Sequence, residues 1–117
     1  MTTHNQRVGA WGEEIAATWL TEHGYEIAAR NVRTPYGEID IIARQDGRVI
    51  FVEVKTLTTT KTFLPEHQIT PRKREHMLNA AQHYAAEQAL DHWQIDVIAI
   101  EGRPGTIPTV THFDNAI

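Results

Sequence analysis

Apolar positions follow a helical period over the first twenty residues, then break into short strand-like runs separated by turn residues. Val8, Trp11, Ile15, Trp19 and Leu20 form one stripe, which predicts a helix from about Asn5 to His23 with Gly24 as its stop. Gly9 and Gly12 each cost such a helix about 1 kcal/mol relative to alanine. They imply either close packing against another element or fraying at the start. A strand is expected over Tyr25–Val32, a turn over Arg33–Gly37, and a second strand over Glu38–Arg44. Gln45-Asp46-Gly47-Arg48 reads as a hairpin turn, since Asp-Gly favours the primed geometry, and a third strand follows over Val49–Leu57. Thr58–Thr62 reads as a mobile loop or an extension of that strand. Thr70-Pro71 supplies an N-cap and first turn for a helix to about Ala89, with Met77, Leu78, Ala81, Tyr84 and Ala85 facing the core. Ile95–Glu101 reads as a buried strand, Arg103-Pro104-Gly105 as a turn, and Thr109–Phe113 as a short edge strand.

The predicted class is α/β, in the order α-β-β-β-α-β with a further short strand at the end. The crossover helix makes its strand parallel to a neighbour, so the sheet is mixed and flanked by helices. Residues 1–117 suit a single domain with one core. No run is apolar enough to span a bilayer, and the start of the chain lacks a signal-like stretch, which places the protein in the cytoplasm. The absence of cysteine excludes disulfides and thiolate metal sites and fits a reducing compartment.

Net charge is −4, which argues mildly against indiscriminate binding to nucleic acid. Its distribution changes that picture. Residues 30–74 hold nine Lys/Arg against five Asp/Glu, and the remainder holds two against ten. A basic surface around an acidic centre suits an enzyme that cuts polyanions; a solvated surface of uneven charge is the plain alternative.

The acidic centre is Glu38-Ile39-Asp40 on one strand and Glu53-Val54-Lys55 on the next. Charged groups within Ile/Val/Phe runs are costly to bury unless paired, metal-bound or beside water. Strand alternation puts Glu38 and Asp40 on one face, with Ile39 and Ile41 opposite, and gives Glu53 and Lys55 a common face as well. Closing the hairpin at Asp46-Gly47 brings Asp40 and Glu53 close enough to share a divalent cation. Mg²⁺ or Mn²⁺ takes oxygen ligands, and the backbone carbonyl of Val54 is a third candidate. Lys55 would orient the attacking water or stabilise phosphoryl charge. The simpler alternatives are an ion pair between Glu53 and Lys55 and a turn-satisfying role for Asp40.

The chain resembles the YraN family of uncharacterised bacterial proteins, predicted members of the PD-(D/E)XK nuclease superfamily. The resemblance is carried by Gly9-Ala10-Trp11-Gly12-Glu13, Gly24-Tyr25, Arg30-Asn31-Val32-Arg33, Gly37 to Ala43, and Phe51-Val52-Glu53-Val54-Lys55. It implies a restriction-endonuclease-like core, with Asp40 and Glu53 as the acids and Lys55 as the lysine. The superfamily's proline-aspartate pair is absent, because Ile39 precedes Asp40. The pattern is similar to that of archaeal Holliday-junction resolvases, which add a glutamate from the first helix. Glu13 matches that position; helical geometry alone does not choose it over Glu14.

The implied function is a metal-dependent endonuclease hydrolysing DNA phosphodiester bonds, with branched or damaged DNA as the candidate substrate and a homodimer expected by analogy with resolvases. A module that keeps the nuclease fold and binds nucleic acid without turnover is the alternative. An RNA or small-molecule phosphodiesterase is a third reading, since fold does not fix substrate. Arg30, Arg33, Arg72 and Lys73 are candidate phosphate contacts, weighed against ordinary solvated positions. His76 and His83 share a helix without an acid to complete a zinc set, and His4, His23, His67, His92 and His112 sit in no motif. Trp11 and Trp19 fit core packing better than base stacking.

Overall fold

A Thr-x-x-Gln capping box starts the first helix. The Thr3 hydroxyl accepts from the Gln6 N–H at 3.1 Å, and the Gln6 side chain accepts from the Thr3 N–H at 2.9 Å. This start signal sets helix α1 at His4–Glu22, one residue earlier at each end than its apolar stripe suggests. The computed structural model describes residues 3–58 and 69–117. After α1 come β1 (Glu26–Thr34), β2 (Gly37–Gln45), β3 (Arg48–Leu57), α2 (Pro71–Glu87), β4 (Trp93–Glu101) and β5 (Thr109–Phe113). Of the expected polar stretch Thr58–Thr62, only Thr58 falls among the described residues, and its carbonyl accepts from Arg103 Nε at 3.3 Å.

The five strands form one sheet in the order β1-β2-β3-β4-β5. β3 and β4 run parallel, as the α2 crossover requires, and the other neighbours are antiparallel. The sheet is therefore mixed, and the architecture is that of a restriction-endonuclease-like core. Asp46 and Gly47 both take positive φ, 52° and 75°, as the primed hairpin turn demands. The Thr70 hydroxyl accepts from the Lys73 N–H at 3.2 Å, capping α2.

The helices lie on opposite faces. Ala16, Ala17 and Leu20 of α1 pack on Ile41, Ala43, Ile50, Val52, Ile98 and Ile100. Ala80, Ala81 and Ala85 of α2 pack on Ile39, Ile42, Phe51 and Ile95. Complete burial of a side chain such as Ile41 or Ile98 contributes roughly 1.5–3 kcal/mol. Trp11 and Trp19 pack against the α1 layer, as expected of core aromatics. Leu78 departs from expectation, being exposed, while Ala80 takes the core position.

The two α1 glycines separate cleanly. A Cβ at Gly12 would overlap the Thr56 hydroxyl on β3 and lie 3.2 Å from its Cβ, whereas among the described residues nothing lies within 4 Å of one at Gly9. Gly12→Ala is expected to destabilise the fold by about 1–3 kcal/mol through overpacking. Gly9→Ala is expected to stabilise it by about 0.5–1 kcal/mol through helix propensity. Denaturant midpoints moving in the same direction for both would contradict this assignment.

A candidate active site at a fork in the sheet

β2 and β3 stay paired from Gln45↔Arg48 only as far as Ile41↔Val52. Beyond that point β2 remains with β1 to the end at Thr34↔Gly37, and β3 remains with β4 to Leu57↔Glu101. The sheet thus forks, and the candidate acids lie at the fork. Asn31 in β1 adopts a left-handed φ of 52°, and the β1–β2 ladder steps from Arg30↔Ile41 to Val32↔Ile39 past Asn31 and Asp40. Side-chain alternation breaks there. Ile39 packs in the α2 layer, yet Ile41, two residues on, packs in the α1 layer. The expectation that Ile39 and Ile41 share a face is corrected: the pleat is interrupted where the arms separate.

Asp40 fills the opening. Its Oδ2 accepts from the Val54 N–H at 2.8 Å, replacing the strand partner that β3 loses at the fork. The N–H and C=O of one strand residue point to the same side, so the Val54 carbonyl also faces the gap. Asp40 and Glu53 come together at the fork, each close enough to shift the other's titration. Burial and the charge of Asp40 push Glu53 up to about 7, with Lys73 opposing. Burial also raises Asp40, against the lowering effect of its hydrogen bonds to Val54 and Glu53. Two carboxyl groups crowded in this way resist being ionised together.

Two further carboxylates converge. Oxygens of Glu13, Glu38 and Asp40 lie within 4.8 Å of one another. Burial, then Asp40, raise the Glu13 pKa. Oriented to suit its surroundings, the Asn31 amide donates to Glu38 Oε1 and to Glu13 Oε2, each at 3.1 Å. Its left-handed backbone is what lets a β1 residue reach both acids, and asparagine tolerates that conformation better than most residues. The residue-level reading missed Asn31. Its signal was a turn-favouring side chain in the middle of a strand.

On the α2 side, Lys73 Nζ lies 3.1 Å from Glu53 Oε1. The ammonium that meets the second acid therefore comes from α2, and Lys73 is not merely a surface phosphate contact. Lys55 is half-buried on β3, with no ion pair among the described residues. A cavity of about 90 Å³ adjoins Glu53 and Lys73, lined among others by Tyr36, Ile39, Phe51 and His76. Arg33 and Arg72 are exposed, whereas Arg30 is partly buried and pairs with Glu14 at 3.0 Å. His83 is paired with Glu87 at 3.2 Å.

His112, which sits in no sequence motif, belongs to a second cluster in space. Asp96, His112 and Asp114 bring ligand-type atoms within 4.8 Å, a set able to hold a metal ion. Asp96, 0% exposed, already accepts from three donors. They are Gln94 Nε2 at 2.7 Å, the Asn115 N–H at 2.9 Å and His112 Nε2 at 2.7 Å. These bonds tie β4 to β5 and to the C-terminal residues. Among the described residues, no helix is long and apolar enough to cross a membrane.

Known proteins are similar to this chain along almost its whole length. A protein from Syntrophotalea carbinolica is 44% identical over 118 residues, covering 99% of this chain and 95% of its own. One from Geobacter metallireducens is 40% identical over 118 residues, covering 99% and 96%. One from Treponema pallidum is 41% identical over 107 residues, covering 89% and 85%. All three are described as UPF0102 proteins. The model of that family matches residues 12–100, a span that contains Glu13, Asn31, Asp40, Glu53, Lys55 and Lys73. The chain belongs to the uncharacterised protein family UPF0102, the YraN family to which its motifs pointed.

Proposed function

We propose that this protein is a metal-dependent endonuclease that hydrolyses phosphodiester bonds of DNA, with branched or damaged DNA as its substrate class. The observation that carries the reading is the Asp40–Glu53 carboxyl pair held at the fork of the sheet, with the Val54 carbonyl facing the same gap. Two carboxyl groups crowded together at an opening repel each other when ionised, and a bound cation relieves that repulsion. The donors are all oxygen, which fits Mg²⁺ or Mn²⁺ and not a thiophilic metal.

Asp40, Glu53 and the Val54 carbonyl would hold the cation. When bound, it supplies Lewis acidity toward phosphate and a nucleophile at neutral pH. Glu13, bridged to Glu38 by Asn31 and near Asp40, adds a third acidic group from α1. Lys55 orients the attacking water or faces phosphoryl charge. Arg33 and Arg72, exposed on β1 and at the start of α2, supply phosphate contacts on either side, and Arg30 joins them where Glu14 releases it. Cutting both strands of a duplex or junction calls for two such sites, hence a homodimer.

The test uses labelled four-way-junction, flap, single-stranded and linear duplex DNA with Mg²⁺, Mn²⁺ or EDTA. Cleavage is expected with either metal and not with EDTA. Asp40→Asn is expected to reduce it by more than about a hundredfold, beyond the loss typical of an outer-shell partner. Folded protein that binds these DNAs equally well in EDTA and as Asp40→Asn, without cutting any, would replace this reading with the non-catalytic module.

A further inference from the structure

Lys73 is the residue whose position the proposed chemistry leaves unexplained. It stands on the first turn of α2, its side chain 52% exposed, and yet it reaches down to a carboxylate that is only 13% exposed. It meets Glu53 Oε1 at 3.1 Å, on the group that the proposed function assigns to the cation. The helix is fixed at this height by the Thr70 cap and by Ala80, Ala81 and Ala85 against the sheet. The ammonium is therefore set beside the acids and does not simply drift over the surface. Arg72 and Arg74 flank it in sequence without sharing its role. Arg72 is exposed, and Arg74 donates to the Ala116 carbonyl at 3.2 Å.

We propose that Lys73 is an internal counter-cation: it neutralises Glu53 while the site holds no metal, is released from Glu53 by metal binding, and then takes a non-bridging oxygen of the substrate phosphate. This rests on the assignment of Asp40 and Glu53 as metal ligands. An ammonium and a divalent cation cannot both sit against Glu53 without strong repulsion. The four-carbon stem of lysine lets the freed charge swing while staying at the mouth of the fork. The adjoining cavity, lined by Lys73 and Glu53, opens the space into which it can move. Metal and substrate binding are thereby linked through one side chain, because the cation frees the group that phosphate needs.

The experiment measures two affinities on purified wild type, Lys73→Met and Lys73→Arg. The first is for Mn²⁺ by calorimetry at one fixed pH for all three proteins. Lys73→Met should bind Mn²⁺ more tightly than wild type, on the order of fivefold, because a competing charge is gone. Lys73→Arg should remain close to wild type. The second is for junction DNA, in EDTA and in Ca²⁺, used as a cation of the same charge. Lys73→Met should weaken DNA binding in Ca²⁺ and leave it nearly unchanged in EDTA. Unchanged or weaker Mn²⁺ binding by Lys73→Met overturns the counter-cation role. An equal loss of DNA affinity in both conditions overturns the handover and leaves Lys73 a plain phosphate contact. If wild type binds no Mn²⁺ at all, the assignment of Asp40 and Glu53 as ligands falls with it, which separates the two failures.

Discussion

Glu53→Gln is expected to stabilise the metal-free protein above neutral pH while removing its response to divalent cations. Glu53 titrates at about 7 in the folded chain against an ordinary value of 4.5. Between those values the folded protein binds more protons than the unfolded one, so stability falls as pH rises. The favourable contribution is complete below the ordinary value and is lost once pH passes the folded one. The difference is at most roughly 3 kcal/mol, and the coupled titration of Asp40 shares part of it. Glutamine cannot ionise, so this portion of the pH dependence should disappear. In EDTA at pH 8 the variant should melt several degrees higher than wild type. Its lost contact with Lys73 offsets only part of this, since the lysine end of that pair is half open to water. Mg²⁺ at a hundred times its dissociation constant should stabilise wild type by about 2.7 kcal/mol. The variant should gain almost none of this. A variant that melts lower than wild type in EDTA, or responds equally to Mg²⁺, would overturn this role for Glu53.

Asp96→Ala is expected to produce the largest loss of stability of any substitution considered. Asp96 is fully buried and accepts from Gln94, His112 and the Asn115 backbone. Truncation leaves three donors facing a void, and breaking a buried charged network of this kind costs about 3–5 kcal/mol. For a domain of this size that corresponds to a melting temperature lower by roughly 10–20 °C. His112→Ala should cost less, because Asp96 Oδ1 keeps its two other donors. Urea denaturation of both variants checks the order. A loss below about 1 kcal/mol for Asp96→Ala would mean that β5 and the C-terminal residues are not held by this carboxylate. The cluster lies on the α1 side of β4, and its oxygens are already committed to protein donors, so its first contribution is to hold the sheet edge.

Much of the architecture was legible along the chain. The α1 stripe, the Asp46-Gly47 turn, the Thr70-Pro71 cap and the apolar runs of β2, β3 and β4 each act locally, through backbone preference or side-chain period. Their order then left few topologies, and the parallel β3–β4 pair followed from the crossover helix. Asp40 and Glu53 stood out because carboxylates in such apolar runs need a reason. Their meeting was foreseen from strand alternation, although alternation fails at Asp40 and the fork brings them together instead.

The remainder depended on how the elements pack. Asn31 joins the acidic cluster only because its left-handed backbone aims the amide at Glu13 and Glu38. Asp96 and His112 are sixteen positions apart and meet only through the β4–β5 pairing. Lys73, not Lys55, meets Glu53 because α2 docks at one particular height on the sheet. A helix displaced by one turn, about 5.4 Å, would present a different residue there. Sequence by itself determined the elements, their order and the two acids, since period, turn chemistry and the cost of burying charge act on neighbouring residues. Only the tertiary structure decided which amide and which ammonium meet these acids, because docking height and the fork between β2 and β3 arise from packing across the whole sheet.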